Sequence, residues 1–397
     1  MMRFLAPAGM PLNLDDFLAG MRSLWNPAGD GVASAMPFTG ARHVFGASSG
    51  RAALVIIFQA LRRLSPERSV VAIPGYTCYS VAAAAARAGL RVYPLEMNSA
   101  SLDIDYESAA KAPYDQFLAV LTANLFGFAS DVGRLCELAS KNGAFVVDDA
   151  AQSLGTCTNG QLSGTGTDVG LYSLARGKVL PVGGGLIVTK RDDVASGVAA
   201  EIEKLNRPGF ADELRTYTEL LGVSILFRPW LYWLPNRLPF LKLGITEFDT
   251  TFRVERMARV SSGMLPGKFA TLNEITAGRA AKAAWLSRRL QAVSGFTVPE
   301  PPRGCRPSYI RFPVLARGME SRDWAVKALR DAGIGASAYY PSAMCDIPEM
   351  KPHLADGAAH CPGAEDLARR LLTLPVHPMV HESDMERICN ILEMCPN

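Results

Sequence analysis

A lysine, two adjacent carboxylates and a run of glycines lie within one stretch, residues 145–189, FVVDDAAQSLGTCTNGQLSGTGTDVGLYSLARGKVLPVGGGLIVT. Asp148 and Asp149 follow the apolar run Phe145-Val146-Val147. They therefore stand where a buried strand opens at its C-terminal edge, the place where open α/β sheets bind ligands. A second apolar pattern, residues 169–172, breaks at Ser173-Leu174-Ala175-Arg176-Gly177-Lys178 and resumes at residues 186–189, after Gly183-Gly184-Gly185. Lys178 is a lone lysine among small and apolar residues. In a dry pocket its charged form is disfavoured, and the neutral amine can attack a carbonyl to form a covalent imine. Taken singly, the same residues also suit a structural role: Asp148-Asp149 could cap a helix beginning at Ala150, and Lys178 could lie on an exposed loop.

Pyridoxal phosphate needs this combination. It uses a lysine for covalent attachment, a carboxylate at its pyridine nitrogen and donors for its phosphate. Lys178, Asp149 and the Ser173 hydroxyl offer one of each. A second anion site is offered by Ser49-Gly50-Arg51, which leads into the apolar helical pattern of residues 52–64. Small residues at a helix start leave backbone N–H groups free to hold a phosphate, although Ser49 equally suits an ordinary N-cap.

The elements that must position these residues are legible as alternating runs. Strands are expected at residues 70–73, 91–95 and 117–122, with helices reaching 88 and spanning 131–142, before the strands at 145 and 169. Such alternation predicts an α/β domain with a largely parallel sheet covered on both faces. Beyond Lys190 the character changes. Residues 220–243, LLGVSILFRPWLYWLPNRLPFLKL, are rich in Leu, Trp and Phe and are broken by Pro229, Pro235 and Pro239, so one long helix is excluded. Packing against a subunit or domain is preferred for this segment over contact with a membrane surface. A helix is expected at 274–290, then a strand at 309–315, a helix at 322–332, a strand at 335–340 and helices at 364–371 and 382–394.

A chain of 397 residues exceeds one ordinary hydrophobic core. We expect a large domain over residues 1–250, including the N-terminal segment and the insertion near 220–243, and a smaller C-terminal α+β domain over 251–397. With 41 basic against 38 acidic residues, a net charge of +3 provides no field for nucleic acid. Eight cysteines without CxxC spacing and five scattered histidines indicate neither a zinc site nor a disulfide framework, which favours reduced thiols in the cytoplasm. The first residues lack the sustained apolar core of a signal peptide, and no run reaches the ~18 apolar residues of a membrane span.

Taken together, VVDDAAQSLG, Thr167-Asp168-Val169-Gly170, Ser173 with Lys178, and Gly184-Gly185 resemble the DegT/DnrJ/StrS family of pyridoxal-phosphate sugar aminotransferases. The resemblance extends from Ser49-Gly50 through Ile73-Pro74-Gly75-Tyr76-Thr77 and Leu125-Phe126-Gly127 to Leu372-Thr373-Leu374-Pro375-Val376-His377-Pro378. It implies a fold-type-I pyridoxal-phosphate-dependent transferase working as a homodimer. It further implies an amino group moved, with glutamate as expected donor, to a keto group on a nucleotide-linked sugar of polysaccharide or secondary-metabolite biosynthesis. Lys178 would be the covalent anchor and proton shuttle, Asp149 the partner of the pyridinium nitrogen, and Gln152 a donor to the ring oxygen. Ser173 and the amides of Gly50 and Arg51 would hold the phosphate, next to Ser49. Lys178 also separates this chain from relatives that dehydrate sugars with a histidine in its place.

Several positions depart from the pattern. Cys78 stands where the family stacks an aromatic residue on the ring, and Tyr76 or Tyr79 could substitute. Arg51 replaces a threonine, Val179 an asparagine and Gly183 a glutamate. Phe269-Ala270-Thr271 replaces an Asn-aromatic-Arg motif that reaches a neighbouring subunit's phosphate, a loss for which Lys268 could compensate. Two rival readings go with these departures: a pyridoxal-phosphate enzyme acting on a different ketone or amino acid, and a cofactor-binding relative without turnover.

Overall fold

The apolar runs of the first 190 residues become strands of one sheet, and the helical patterns between them cover it. The computed structural model describes residues 3–25, 31–236, 246–358 and 360–396. Its first elements in chain order are helix α1 (Leu14–Trp25), strand β1 (His43–Ala47), α2 (Gly50–Leu64), β2 (Val70–Pro74), α3 (Tyr79–Arg87), β3 (Arg91–Leu95), β4 (Phe117–Leu121), α4 (Val132–Ser140), β5 (Phe145–Asp149), β6 (Val169–Ser173) and β7 (Gly185–Thr189). Then follow α5 (Asp192–Glu203), α6 (Phe210–Leu226), α7 (Arg259–Leu290), β8 (Phe296–Thr297), β9 (Phe312–Ala316), α8 (Met319–Asp331), α9 (Pro362–Arg370), β10 (Leu371–Leu374) and α10 (Glu382–Glu393).

Seven strands pair in the order β1-β7-β6-β5-β4-β2-β3. β6, β5, β4, β2 and β3 run parallel, while β7 is antiparallel to both of its neighbours. Both faces of this sheet are covered. Val147, Leu171 and Ile187 pack with α2 and α3 in one core; on the other face Val120 and Val146 join one core, and Tyr172 and Val188 another. Burial on both sides is why these strands read as continuous apolar runs, and the mostly parallel α/β architecture expected from them is the one observed. A second, antiparallel sheet, β8-β9-β10, packs with α8, α10 and the end of α7. Leu5 belongs to this second core and pairs with Ile334, so the N-terminal residues expected with the first domain pack in part on the second.

Four local expectations are corrected. α7 begins at Arg259 rather than at 274 and runs through Pro266. Val260, Met264, Leu265 and Leu272 are buried in a core shared with Phe17 of α1, and this burial outweighs the local cost of the proline. Residues 335–340 form no strand; Ile334 and Ser337 make only isolated bridges, to Leu5 and Thr373. Leu371, expected to close the helix from 364, instead opens strand β10, which is paired with β9. Ala150 to Gly155 is a run of turns and not a helix. In the Leu- and Trp-rich segment, α6 ends at Leu226 and a short helix spans Trp233–Asn236, whereas residues 237–245, with Pro239, lie outside the described residues.

Candidate functional site

Register at the C-terminal ends of β5 and β6 decides which acid faces the site. Parallel pairing sets Leu171 opposite Asp149, and alternation puts Ser173, two residues on, on the same face. Asp148 points the other way. Thr122 Oγ1 (2.7 Å), Asn124 Nδ2 (2.6 Å) and the Gly164 N–H (2.6 Å) donate to its carboxylate, so it fastens β4, β5 and the loop before β6. Asp149 Oδ1 accepts from the Ala151 N–H at 3.0 Å. Burial pushes the Asp149 carboxyl up to about 6, a rise moderated by the Ala151 hydrogen bond and the Lys178 charge.

Successive turns carry the chain away from Asp149, with the Ser153 N–H donating to Ala150 O and the Thr156 N–H to Ser153 O. Gln152 nevertheless faces the site. Its Oε1 accepts from the Phe126 N–H at 3.1 Å and its Nε2 donates to the Tyr340 hydroxyl at 3.0 Å. An amide nitrogen carries two protons, so a second donor remains on Nε2. Lys178 sits in the connection from β6 to β7, half-buried. Desolvation lowers its ammonium pKa, while Cys78 and Asp149 oppose that shift and Arg311 adds to it.

The anion cradle is assembled by close approach of backbones. Ser49 caps α2, its Oγ accepting from the Ala52 N–H at 3.1 Å, and the first helical N–H groups have no acceptor within the helix. A Cβ on Gly50 would lie 3.0 Å from Ser173 Cβ and 3.1 Å from its Oγ. Only a bare α-carbon lets the start of α2 come so near the end of β6. Gly183 and Gly184 have φ of +85° and +95°, a region that L-residues avoid, so the turn into β7 suits glycine where the family carries a glutamate.

These pieces enclose a cavity of about 210 Å³. Ser49, Gly50, Arg51, Cys78, Asp149, Gln152, Ser173 and Lys178, all named from the sequence, line it. Among the described residues that line it there is no aromatic ring. Tyr76 and Tyr79 turn away, the Tyr76 hydroxyl donating to Tyr340 O at 3.1 Å and the Tyr79 hydroxyl lying 2.5 Å from Ser342 Oγ. Cys78, at the sequence position where an aromatic was expected, lines the cavity, and its Sγ donates to Ser80 Oγ at 3.1 Å. Arg51 reaches sideways, to Asp249 at 3.5 Å and over the Phe252 ring at 4.7 Å. Lys268 is sealed in an ion pair with Asp16 at 2.6 Å, with both side chains buried, which removes it as a reaching cation. Sequence reasoning missed Tyr340 and the role of Asn124, whose contacts span long sequence separations. The only signal for Asn124 was its position at the end of an apolar strand.

The donor set fits a phosphorylated pyridine aldehyde: a helix start and a hydroxyl for the anion, a buried carboxylate for the ring nitrogen and an amine within electrostatic reach of it. Comparison with known proteins agrees. The model of the DegT/DnrJ/EryC1/StrS aminotransferase family matches residues 33–393. The UDP-N-acetyl-3-dehydro-α-D-glucosamine 3-aminotransferase of Acidithiobacillus ferrooxidans is 26% identical over 360 residues, covering 89% of this chain and 84% of its own. The UDP-2-acetamido-2-deoxy-3-oxo-D-glucuronate aminotransferase of Pseudomonas aeruginosa is also 26% identical over 360 residues, with 89% and 87% covered. Among solved structures, the Escherichia coli GDP-4-keto-6-deoxy-D-mannose-3-dehydratase with bound hydrated pyridoxal phosphate superposes with a TM-score of 0.79 at 16% identity, over 99% of this chain and 100% of that one. The chain therefore belongs to the DegT/DnrJ/EryC1/StrS aminotransferase family, with the fold-type-I architecture and pyridoxal phosphate as cofactor.

Proposed function

We propose that this cavity holds pyridoxal 5′-phosphate and that the chain transfers an amino group from an amino-acid donor, glutamate in the first instance, to a keto group on a nucleotide-linked sugar. The observation that carries this reading is the convergence of Lys178 and Asp149 with the α2 start and Ser173 on one cavity. When bound, the cofactor supplies an aldehyde that captures primary amines and a ring that stores an electron pair. Asp149, aimed by the Ala151 N–H, would hold a proton on the ring nitrogen. Lys178 Nζ would anchor the cofactor and, once displaced by the donor's amine, carry a proton across the reacting face; its lowered pKa makes the neutral base more available near pH 7. Gln152 would give its second Nε2 proton to the ring oxygen. Ser173 Oγ and the N–H groups of Gly50 and Arg51 would hold the phosphate.

The assembly we favour is a homodimer in the cytoplasm. Leu14, Leu18, Met21 and Trp25 on α1, and Phe210, Leu214, Leu221 and Ile225 on α6, are exposed at helical spacing, and Trp230 and Trp233 follow. That much apolar surface suits a partner subunit better than water. No helix among the described residues is long and apolar enough to cross a membrane, and the eight cysteines form no disulfide.

The test is spectroscopic. Purified protein given pyridoxal phosphate should acquire a near-visible band that glutamate consumes, and Lys178→Ala should lack that band. Protein that never takes up the cofactor would sink the reading. A band that persists in glutamate and every other amino donor would instead mark a relative without turnover.

A further inference from the structure

Two arginines lie in the interior without an acid. Arg279 on α7 is 1% exposed, and Arg311, immediately before β9, is 9% exposed. Arg279 Nη1 donates to Tyr309 O at 3.3 Å, but its Nε and Nη2 meet no acceptor, and neither does Arg311 Nη1. Among the described residues no carboxylate pairs with either guanidinium. Burial lowers Arg279 only to about 10, so it stays charged at neutral pH. The surroundings add positive charge: Lys282 donates to the carbonyls of His377 and Pro378. His377 offers no counter-charge. It is fully buried, donates from Nε2 to Ala6 O at 2.9 Å, and is held neutral at about 3, chiefly by burial and further by Arg279, Lys282 and Arg311. Buried charge without a partner is costly, and a planar guanidinium is matched in shape and sign by a carboxylate.

A short chain of contacts links this cluster to the proposed site. The Arg311 guanidinium lies 4.4 Å from the Tyr339 ring centre, and that ring packs on Tyr340 at 4.7 Å. The Tyr340 hydroxyl accepts from Gln152, which lines the cavity. Among the described residues that line the cavity, only Arg51 and Lys178 carry positive charge; Arg51 is directed to Asp249, and Lys178 is assigned to the cofactor. We propose that Arg311, backed by Arg279, binds a carboxylate of the substrate that enters this cavity. The proposal rests on the aminotransferase reading above. The carboxylate belongs either to the amino-acid donor or to an acidic sugar acceptor.

Calorimetry on the pyridoxal-phosphate-loaded protein separates these sources. One arm titrates glutarate, a dicarboxylate with no amine to react; a second titrates UDP-glucuronate; UDP-glucose is the control without a sugar carboxylate. The wild type should bind at least one carboxylate probe, and whichever binds identifies the source. Arg311→Met should weaken that binding by about tenfold or more with UDP-glucose affinity unchanged, and Arg311→Lys, which keeps the charge but not the fork, should recover only part. If Arg311→Met does not fold, Arg311→Lys decides by its own loss of affinity. Equal affinities in wild type and variants, or no binding of either carboxylate by the wild type, overturns the proposal. Protein that carries the cofactor band yet shows no Arg311 effect rejects this proposal alone, whereas absence of the band rejects the aminotransferase reading.

Discussion

Replacing Asp149 by asparagine tests the electrostatics on which the site depends. The Asp149 carboxyl titrates near 6 in the folded chain, against 3.8 for an unperturbed aspartate. That difference is worth about 3 kcal/mol at 1.36 kcal/mol per pH unit. Its sign follows from which state loses the proton first. The unfolded chain ionises from pH 3.8 upward while the folded chain still holds its proton, so stability present at low pH is lost as pH rises through 6. About 2 kcal/mol of the loss falls between pH 4.5 and 7.5. Asparagine does not titrate, keeps an oxygen for the Ala151 N–H and leaves other groups unchanged. Urea unfolding of cofactor-free wild type and Asp149→Asn should therefore show the variant gaining on the wild type by about 2 kcal/mol across that window. Pyridoxal phosphate should reverse the order, because a ring cation favours the ionised carboxylate and the variant cannot supply one. A stability difference that does not change with pH, or a variant less stable than wild type at pH 7.5, would refute the claim that burial holds Asp149 poised for a cation.

Two other substitutions probe the frame around the cavity. Gly50→Ala sets a methyl 3.0 Å from Ser173 Cβ and should cost about 1–3 kcal/mol by overpacking, read as faster cofactor release and a lower unfolding midpoint. Lys268→Met leaves the Asp16 carboxylate buried without its cation and should cost about 3–5 kcal/mol, with much of that recovered in Lys268→Met/Asp16→Asn. Both proteins should retain the cofactor band when folded. Cofactor loss from Lys268→Met without loss of stability would show instead that this lysine serves the phosphate.

Periodicity made the sheet legible. β3 spans the residues expected, and β2, β4, β6 and β7 differ from expectation by a residue at one end, because a strand buried on both faces must be apolar throughout. Where the local pattern was weak or pointed elsewhere, the reading failed. Pro266 and Gly267 lie ahead of the helix start expected at 274, yet α7 passes through them because α1 covers its buried face. Residues 335–340 had the composition of a strand but lie where only single bridges form. Leu371 was expected to end a helix, and pairing with β9 drew it into the strand Leu371–Leu374 instead.

The same division holds for the site. Sequence alone determined its chemistry: a lysine, an acid and a serine at the ends of apolar runs, with a glycine-started helix, because residue type and spacing along a strand are local properties. Tertiary structure decided which way each group points and what it can reach. The register of β5 against β6 sent Asp149 to the cavity and Asp148 to Thr122, Asn124 and Gly164. The bare α-carbon of Gly50 brought the α2 start against Ser173, and Tyr340 took up one proton of Gln152. Lys268 was withdrawn into a pair with Asp16, and Arg279 and Arg311 were buried without one. Each outcome depends on hydrogen bonds and packing between residues far apart in the chain, which no local pattern encodes.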